Sequence, residues 1–314
     1  MTTQTQQAAA REIAKSKPPS PSPSRALRGK QIAPYLFLAP ALLFGIVFLL
    51  LPLGFSLYLT FTRWNPLSTP RWVGPDQYRY LLSDPTFLST LGNTMIFALG
   101  TVFVGVPLAL IIAYAFTFSR GRSVWRTLYW LPMVTNVVAV GYLWQYLLDG
   151  TYGLVNVLLG YVGINGPAWL SDPGAAMAAV IIVAVWMGIG QNMLLFSAGI
   201  EGLNTTLFEA ARIDGANAIQ VFWYIALPLL RPTLLFVTVT SFIAGMGSFS
   251  LILVLTEGGP MNATNVTALY MYQTAFQDLR MGRAAAMAFI LFVLIFIVTL
   301  VQLRVFRRGG VEAY

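Results

Sequence analysis

Six windows of this sequence, 35–61, 91–118, 127–148, 175–198, 233–255 and 284–303, contain no Asp, Glu, Lys or Arg. A helix crosses the hydrocarbon layer with about 20 residues. An ionised side chain at its centre costs about 2.5–3.5 kcal/mol on insertion scales. Six charge-free windows of that length therefore predict six transmembrane helices and an all-α membrane protein. Composition agrees: 10% of the residues are charged and mean hydropathy is +0.70, against about 25% charged in soluble domains.

Orientation follows from the basic residues. Fourteen of the nineteen lie in segments that share one side if the N-terminus is cytoplasmic. These are Arg11, Lys15, Lys17, Arg25, Arg28, Lys30, Arg120, Arg122, Arg126, Arg212, Arg231, Arg304, Arg307 and Arg308. The other side holds Arg63, Arg71, Arg79, Arg280 and Arg283. Positive charge is retained inside, so both termini are placed in the cytoplasm and the chain in the plasma (inner) membrane. Residues 1–31 are polar, with a run of alternating proline and serine, and read as a disordered basic cytoplasmic tail. Residues 309–314 read as a short C-terminal cytoplasmic tail, leaving 32–308 as the transmembrane domain. The aromatic residues Trp64, Trp72, Tyr78 and Tyr80 read as an interfacial belt and as a contact surface for an external protein. Net charge of +8 is explained by topology, and no nucleic-acid recognition motif accompanies it.

The cytoplasmic stretch 203–232 breaks the apolar pattern with helix formers, charges and a central glycine. Thr206 with Glu209 fits a capping box, and Asn217 with Gln220 fits a second. Gly215 between them can take positive φ and end the first helix in a sharp turn. Ala210, Ala211, Ala216 and Ala218 leave little bulk near that turn, so a partner can approach closely. Glu209 and Arg212, three residues apart, can form an intrahelical pair worth a few tenths of a kcal/mol.

The chain contains no Cys and no His, which removes thiol and imidazole chemistry and the usual zinc ligands. No phosphate-binding GxxxxGK[ST] loop is present. No carboxylate lies in an apolar window, as a proton-coupled carrier needs. No catalytic, metal or cofactor residues are therefore assigned, and work must come from another chain. A polar solute needs polar groups along its path. The candidates are Asn136 and Gln145 in the third window, Gln191 and Asn192 in the fourth, and Ser241, Gly245, Gly247, Ser248 and Ser250 in the fifth. Amides and hydroxyls suit sugar hydroxyls. The competing reading is helix packing, to which small residues in lipid belong.

Three motifs in 203–232, namely Glu209-Ala210-Ala211, Asp214-Gly215-Ala216 and Leu227-Pro228, resemble the EAA loop of binding-protein-dependent ABC import permeases. Leu131-Pro132, the run from Tyr152 through Gly153, Leu154 and Val155 to Asn156, Gly258-Gly259-Pro260 and Thr274-Ala275-Phe276 extend the resemblance. It covers 35–308 and points to the maltose-permease-like carbohydrate-uptake branch. The resemblance implies a type I ABC importer permease fold with a cytoplasmic coupling helix. Glu209, Ala210, Ala211, Arg212, Asp214 and Gly215 would then couple the chain to a separate ATPase. It also implies a second permease subunit, two ATPase subunits and an extracytoplasmic solute-binding protein. In the larger maltose permease subunit, sugar is held just after a Trp-x-Gly in the fourth helix. The matching positions are Met187, Gly188 and Gln191, with Asn192, Ser248, Ser250 and Gln145 completing the expected substrate path. Two other readings stay open: a stand-alone channel or secondary carrier, and an ABC permease for a non-carbohydrate solute such as glycerol phosphate.

Overall fold

The structure, a computed structural model, describes residues 26–117, 119 and 121–308. Residues 1–25 of the expected 1–31 tail and the expected tail 309–314 lie outside the described residues. The chain divides into two compact units, Met1–Ser56 and Leu57–Tyr314.

The described part of the first unit, 26–56, is helical. α1 (Ala26–Gly45) passes through a π-helical turn, Ile46–Leu50, into α2 (Leu51–Leu59). Residues 26–31, expected in the tail, open α1 instead. Once the Pro-Ser run ends, Ala26, Leu27, Arg28, Lys30 and Gln31 are all good helix formers. The π turn sits just before Pro52, which has no N–H and would crowd the carbonyl four residues back. One extra residue in the turn absorbs that conflict, with the Leu51 amide donating to the Ile46 carbonyl.

The second unit takes in the last turn of α2 and continues with a two-residue antiparallel ladder, β1 (Thr62–Arg63) and β2 (Arg71–Trp72). Trp72 stacks on Phe61 with ring centres 5.5 Å apart. α3 (Asp76–Ser83) follows and is tied to the ladder by Gln77 Nε2, which donates to the Thr62 carbonyl at 3.0 Å. α4 (Pro85–Thr117) is the long central helix. α5 (Arg122–Val134), α6 (Val137–Leu147) and α7 (Leu154–Tyr161) are shorter. α8 (Pro173–Glu201) is long and is capped by Asp172, with proline in its first turn. α9 (Thr205–Ile213) and α10 (Ala218–Val221) form an elbow. A π turn, Phe222–Ala226, leads through α11 (Leu227–Leu229) into α12 (Arg231–Met246). That turn again precedes a proline, Pro228. α13 (Ser250–Leu255), α14 (Thr267–Tyr272) with a π turn, Gln273–Gln277, and α15 (Met281–Arg308) complete the chain.

Among the described residues, four helices are long and apolar enough to cross a membrane: Phe37–Leu59, Pro85–Thr117, Pro173–Glu201 and Met281–Phe306. A fifth arises if Ala218–Leu229 and Arg231–Met246, bent by 72°, are counted as one. The third and fifth expected windows are broken. Between α5 and α6 the chain stops at Thr135, and Asn136 caps the new helix by accepting from the Val138 amide at 2.8 Å. Asn136, a path candidate, thus serves as a cap. In the fifth window, residues 247–249 interrupt α12 and α13.

Lipid removes the hydrophobic drive between helices, so close packing must hold them. α4 shows how: Ala98, Val102, Val106, Ala109 and Ala113 form one stripe, buried against Ile189, Met193 and Phe196 of α8 and Phe242 and Met246 of α12. A second core joins Phe97, Val140, Val180 and Val183 to Ile252 and Leu269. Other large apolar side chains stay exposed, among them Phe103, Ile111 and Phe292, as lipid-facing surface requires.

The connection after α6 is pinned by Asp149 and Asn156. Asp149 accepts from the amides of Tyr152 (2.8 Å) and Thr151 (2.9 Å). These two bonds hold its carboxyl below the ordinary aspartate value of 3.8. A depressed value adds stability above the ordinary one and loses it as pH falls through the folded one. Amide exchange at Thr151 and Tyr152, corrected for intrinsic rate, is therefore expected to speed up as pH falls below about 4. Unchanged protection there would show that the carboxylate is not the pin. Asn156 donates to the carbonyls of Gly150 and Pro167, both at 3.1 Å, and accepts from Trp169 Nε1 at 2.7 Å.

Candidate functional site

Two features carry the polar residues singled out by the sequence: the α9–α10 elbow and a notch in the bundle.

The elbow starts at Asn204, whose Oδ1 accepts from the Thr206 amide at 3.0 Å and from Thr206 Oγ1 at 2.8 Å. The expected Thr206–Glu209 capping box does not form. Asn204 comes two residues earlier and claims the cap, which puts Thr206 inside the helix and frees Glu209. The far end is a Schellman turn. The Ala216 amide donates to the Ala211 carbonyl at 2.9 Å and the Gly215 amide to the Arg212 carbonyl at 3.1 Å. Gly215 sits at φ +80 between them, the left-handed position that glycine adopts without a Cβ penalty. Asn217 and Gln220 form the expected capping box, both bonds at 2.9 Å.

Ala211 is buried, while Glu209, Ala210, Arg212, Asp214 and Gly215 are exposed. No ion pair joins Glu209 to Arg212 among the described residues. Both line a cleft of about 260 Å³ with Tyr114 and Phe208. Tyr114, near the end of α4, donates to the Ala218 carbonyl at 3.5 Å and meets Phe222 edge-on at 4.9 Å. The elbow is thereby tied to a membrane helix. Nearby, Arg126 of α5 pairs with Glu201 of α8 at 2.6 Å. Beside its exposed polar groups, the elbow and the turn after it also expose apolar side chains: Ile213 is 86% exposed, Ile219 70% and Tyr224 80%.

The notch, about 200 Å³, is walled by three helical stripes. Phe97, Thr101 and Gly105 come from α4; Ala184, Gly188, Gln191 and Asn192 from α8; Thr240, Ser241, Ala244, Gly245 and Ser248 from α12 and its end. Each stripe repeats at four-residue spacing, so each is one helix face. Asn192 Nδ2 donates to Ser241 Oγ at 3.1 Å, and the pair is spent on itself. Thr240 and Thr101 donate to carbonyls of their own helices. Gln191, which is exposed, and Ser248 make no side-chain hydrogen bond within the chain among the described residues.

The remaining expected path residues sit elsewhere. Gln145 Nε2 donates to the carbonyls of Val254 (2.6 Å) and Leu255 (3.2 Å), fastening α6 to the end of α13. Met187 packs into the second core. Ser250 starts α13, and Gly247 lies in the break before it; neither lines the notch. Thr101 and Thr240 were missed by sequence reasoning. The four-residue repeat of Phe97, Thr101 and Gly105 could have pointed to them. Among the described residues no three acidic side chains gather where they could hold a metal ion.

Known proteins resemble this chain over most of its length. Residues 105–309 match the family model of binding-protein-dependent transport system inner membrane components. The sn-glycerol-3-phosphate transport system permease protein UgpA of Agrobacterium fabrum is 33% identical over 279 residues, 87% of this chain and 94% of that protein. The multiple sugar-binding transport system permease protein MsmF of Streptococcus mutans is 31% identical over 278 residues, 87% of this chain and 95% of that protein. A chain in the crystal structure of a bacterial alginate ABC transporter, in complex with alginate pentasaccharide-bound periplasmic protein, shares the fold. Its TM-score is 0.77 at 22% identity, covering 91% of this chain and 99% of that one. A helical membrane bundle with a glycine-capped elbow, matched over most of its length to such permeases, makes this chain a member of the binding-protein-dependent transport system inner membrane component family.

Proposed function

We propose that this chain forms half of the pathway of an ATP-driven importer for a sugar or oligosaccharide. Gln191 and Ser248 carry the reading: polar side chains on the notch wall with no side-chain hydrogen-bond partner in their own chain among the described residues. Ligand pockets typically measure about 300–1,000 Å³, so a notch of about 200 Å³ needs a second wall. A second permease subunit supplies it, with exposed Gln191 facing the join. Among the described residues no Lys or Arg lines the notch, which suits neutral hydroxyls. The sugar-named relative supports this choice.

Six spans follow if α5–α6 and the bent α12–α13 each count as one broken crossing. Irregular backbone at membrane depth is tolerated where protein buries it or where it lines a cavity. With both termini inside, the elbow faces the cytoplasm. Its exposed Ile213, Ile219 and Tyr224 offer an apolar seat for a separate ATPase, and Glu209 to Gly215 transmit its closure through Tyr114 into α4. The chain itself carries no phosphate loop and contributes no hydrolysis. A solute-binding protein delivers cargo on the opposite side.

Gln191→Ala is expected to raise the KM for uptake roughly 3–10-fold, the worth of one or two neutral hydrogen bonds. Co-purification with the partner subunits should be unchanged. Uptake kinetics identical to wild type would remove Gln191 from the pathway. Uptake by reconstituted vesicles without nucleotide would favour a secondary carrier instead. A phosphorylated polyol is a second reading, favoured by the glycerol-phosphate relative, and competition of uptake by such esters would distinguish it.

A further inference from the structure

The two-stranded ladder places Arg63 directly opposite Arg71. Like charges facing each other across strands are destabilising, so a function has to account for them. They open onto a cleft of about 840 Å³ that also receives Arg280, Arg283 and Tyr80, with Asp278 the sole acidic side chain on its wall among the described residues. The Arg283 guanidinium lies 3.6 Å from the Tyr80 ring centre, and its Nε is buried without a hydrogen-bond partner. Among the described residues none of these four arginines forms an ion pair. Four of the five basic residues outside the cytoplasmic segments therefore converge on one concave surface with a net deficit of negative charge.

Resting on the reading above, we propose that this cleft seats acidic side chains of the solute-binding protein. Guanidinium forks match carboxylates two bonds at a time. A concentrated positive surface also steers an acidic partner to the correct face. The cargo is a poorer occupant, because the notch that would pass it onward is lined by no Lys or Arg and gives an anion no counter-charge.

The test uses the transporter assembled with its second permease and ATPase subunits in phosphatidylcholine vesicles, which carry no acidic lipid. The binding protein that stimulates wild-type ATP hydrolysis is titrated against Arg71→Glu/Arg280→Glu and Arg71→Lys/Arg280→Lys. The Glu pair is expected to raise the half-saturating concentration at least about 10-fold and to leave hydrolysis without binding protein unchanged. Salt should weaken the wild-type and Lys-pair titrations and leave the Glu-pair titration nearly flat. An unshifted Glu-pair titration in vesicles that import normally overturns this inference alone, as does a Lys pair shifted as far as the Glu pair. Wild-type vesicles without nucleotide-dependent uptake overturn the importer reading beneath it as well.

Discussion

Gly215→Asp is expected to abolish uptake while the protein accumulates in the membrane at its normal level. Gly215 sits at φ +80, and Asp is among the few residues that enter the left-handed region readily, at about 1–2 kcal/mol. The two bonds of the Schellman turn use backbone atoms only and survive the change. A Cβ at this position meets nothing within 4 Å, so the chain's own packing does not resist it. The added carboxylate instead joins that of exposed Asp214 on the surface shared with Gln220 and Tyr224, next to the side chains proposed to receive the ATPase. Burying an unpaired charge there costs several kcal/mol, and each 1.4 kcal/mol is a factor of about 10. Uptake should fall at least about 100-fold, with co-purification of the ATPase weakened in parallel. Gly215→Asn has the same backbone tolerance without the charge and should retain much of the transport. Normal uptake by Gly215→Asp would remove the elbow from the coupling path. An equal loss in Gly215→Asn would assign the effect to backbone shape.

How much of this was legible depended on what each signal measures. Hydropathy windows measure transfer into lipid, so α4, α8 and α15 were found to within a turn or two. A crossing broken inside the bundle is as apolar as a continuous one, so the breaks at Thr135 and at 247–249 stayed hidden. Asn136 was read as a path candidate because a polar solute needs polar groups along its path; the structure shows its side chain used as a cap at a helix N-terminus. Gln145 is likewise held within the chain. Its acceptors are carbonyls freed at the end of α13, more than a hundred positions away, where no local pattern reaches. The elbow was read better because its turn is local chemistry. Gly215 and the Asn217–Gln220 box each act within a few residues. The notch was half legible: Gln191 and Asn192 stand out on an apolar face, whereas Thr101 looks like any threonine bonded back to its own helix.

Gly190→Val should show a large stability loss, and Gly188→Ala almost none, although the two sites lie two residues apart. On α8 that spacing turns the side-chain direction through about 200°, so the two glycines face opposite ways. A Cβ on Gly190 would overlap the Tyr129 carbonyl group and stand 3.0 Å from the Trp130 Cα. These are backbone atoms of α5, which no rotamer change can move. The helices must separate, forfeiting the close contact that holds helices together in lipid. Overpacking commonly costs about 1–3 kcal/mol with flexible neighbours, and rigid ones take Gly190→Val to the top of that range or beyond. Against a total stability of about 5–15 kcal/mol, little folded protein should survive mild heating in detergent before size-exclusion chromatography. Gly188 has nothing within 4 Å and lines the notch. Gly188→Ala should therefore give a wild-type melting profile, and any loss should appear in uptake, because the new methyl occupies space proposed for cargo. If both variants melt together, α8 does not divide into a packing face and a pathway face, and the notch has no claim to be the conduit.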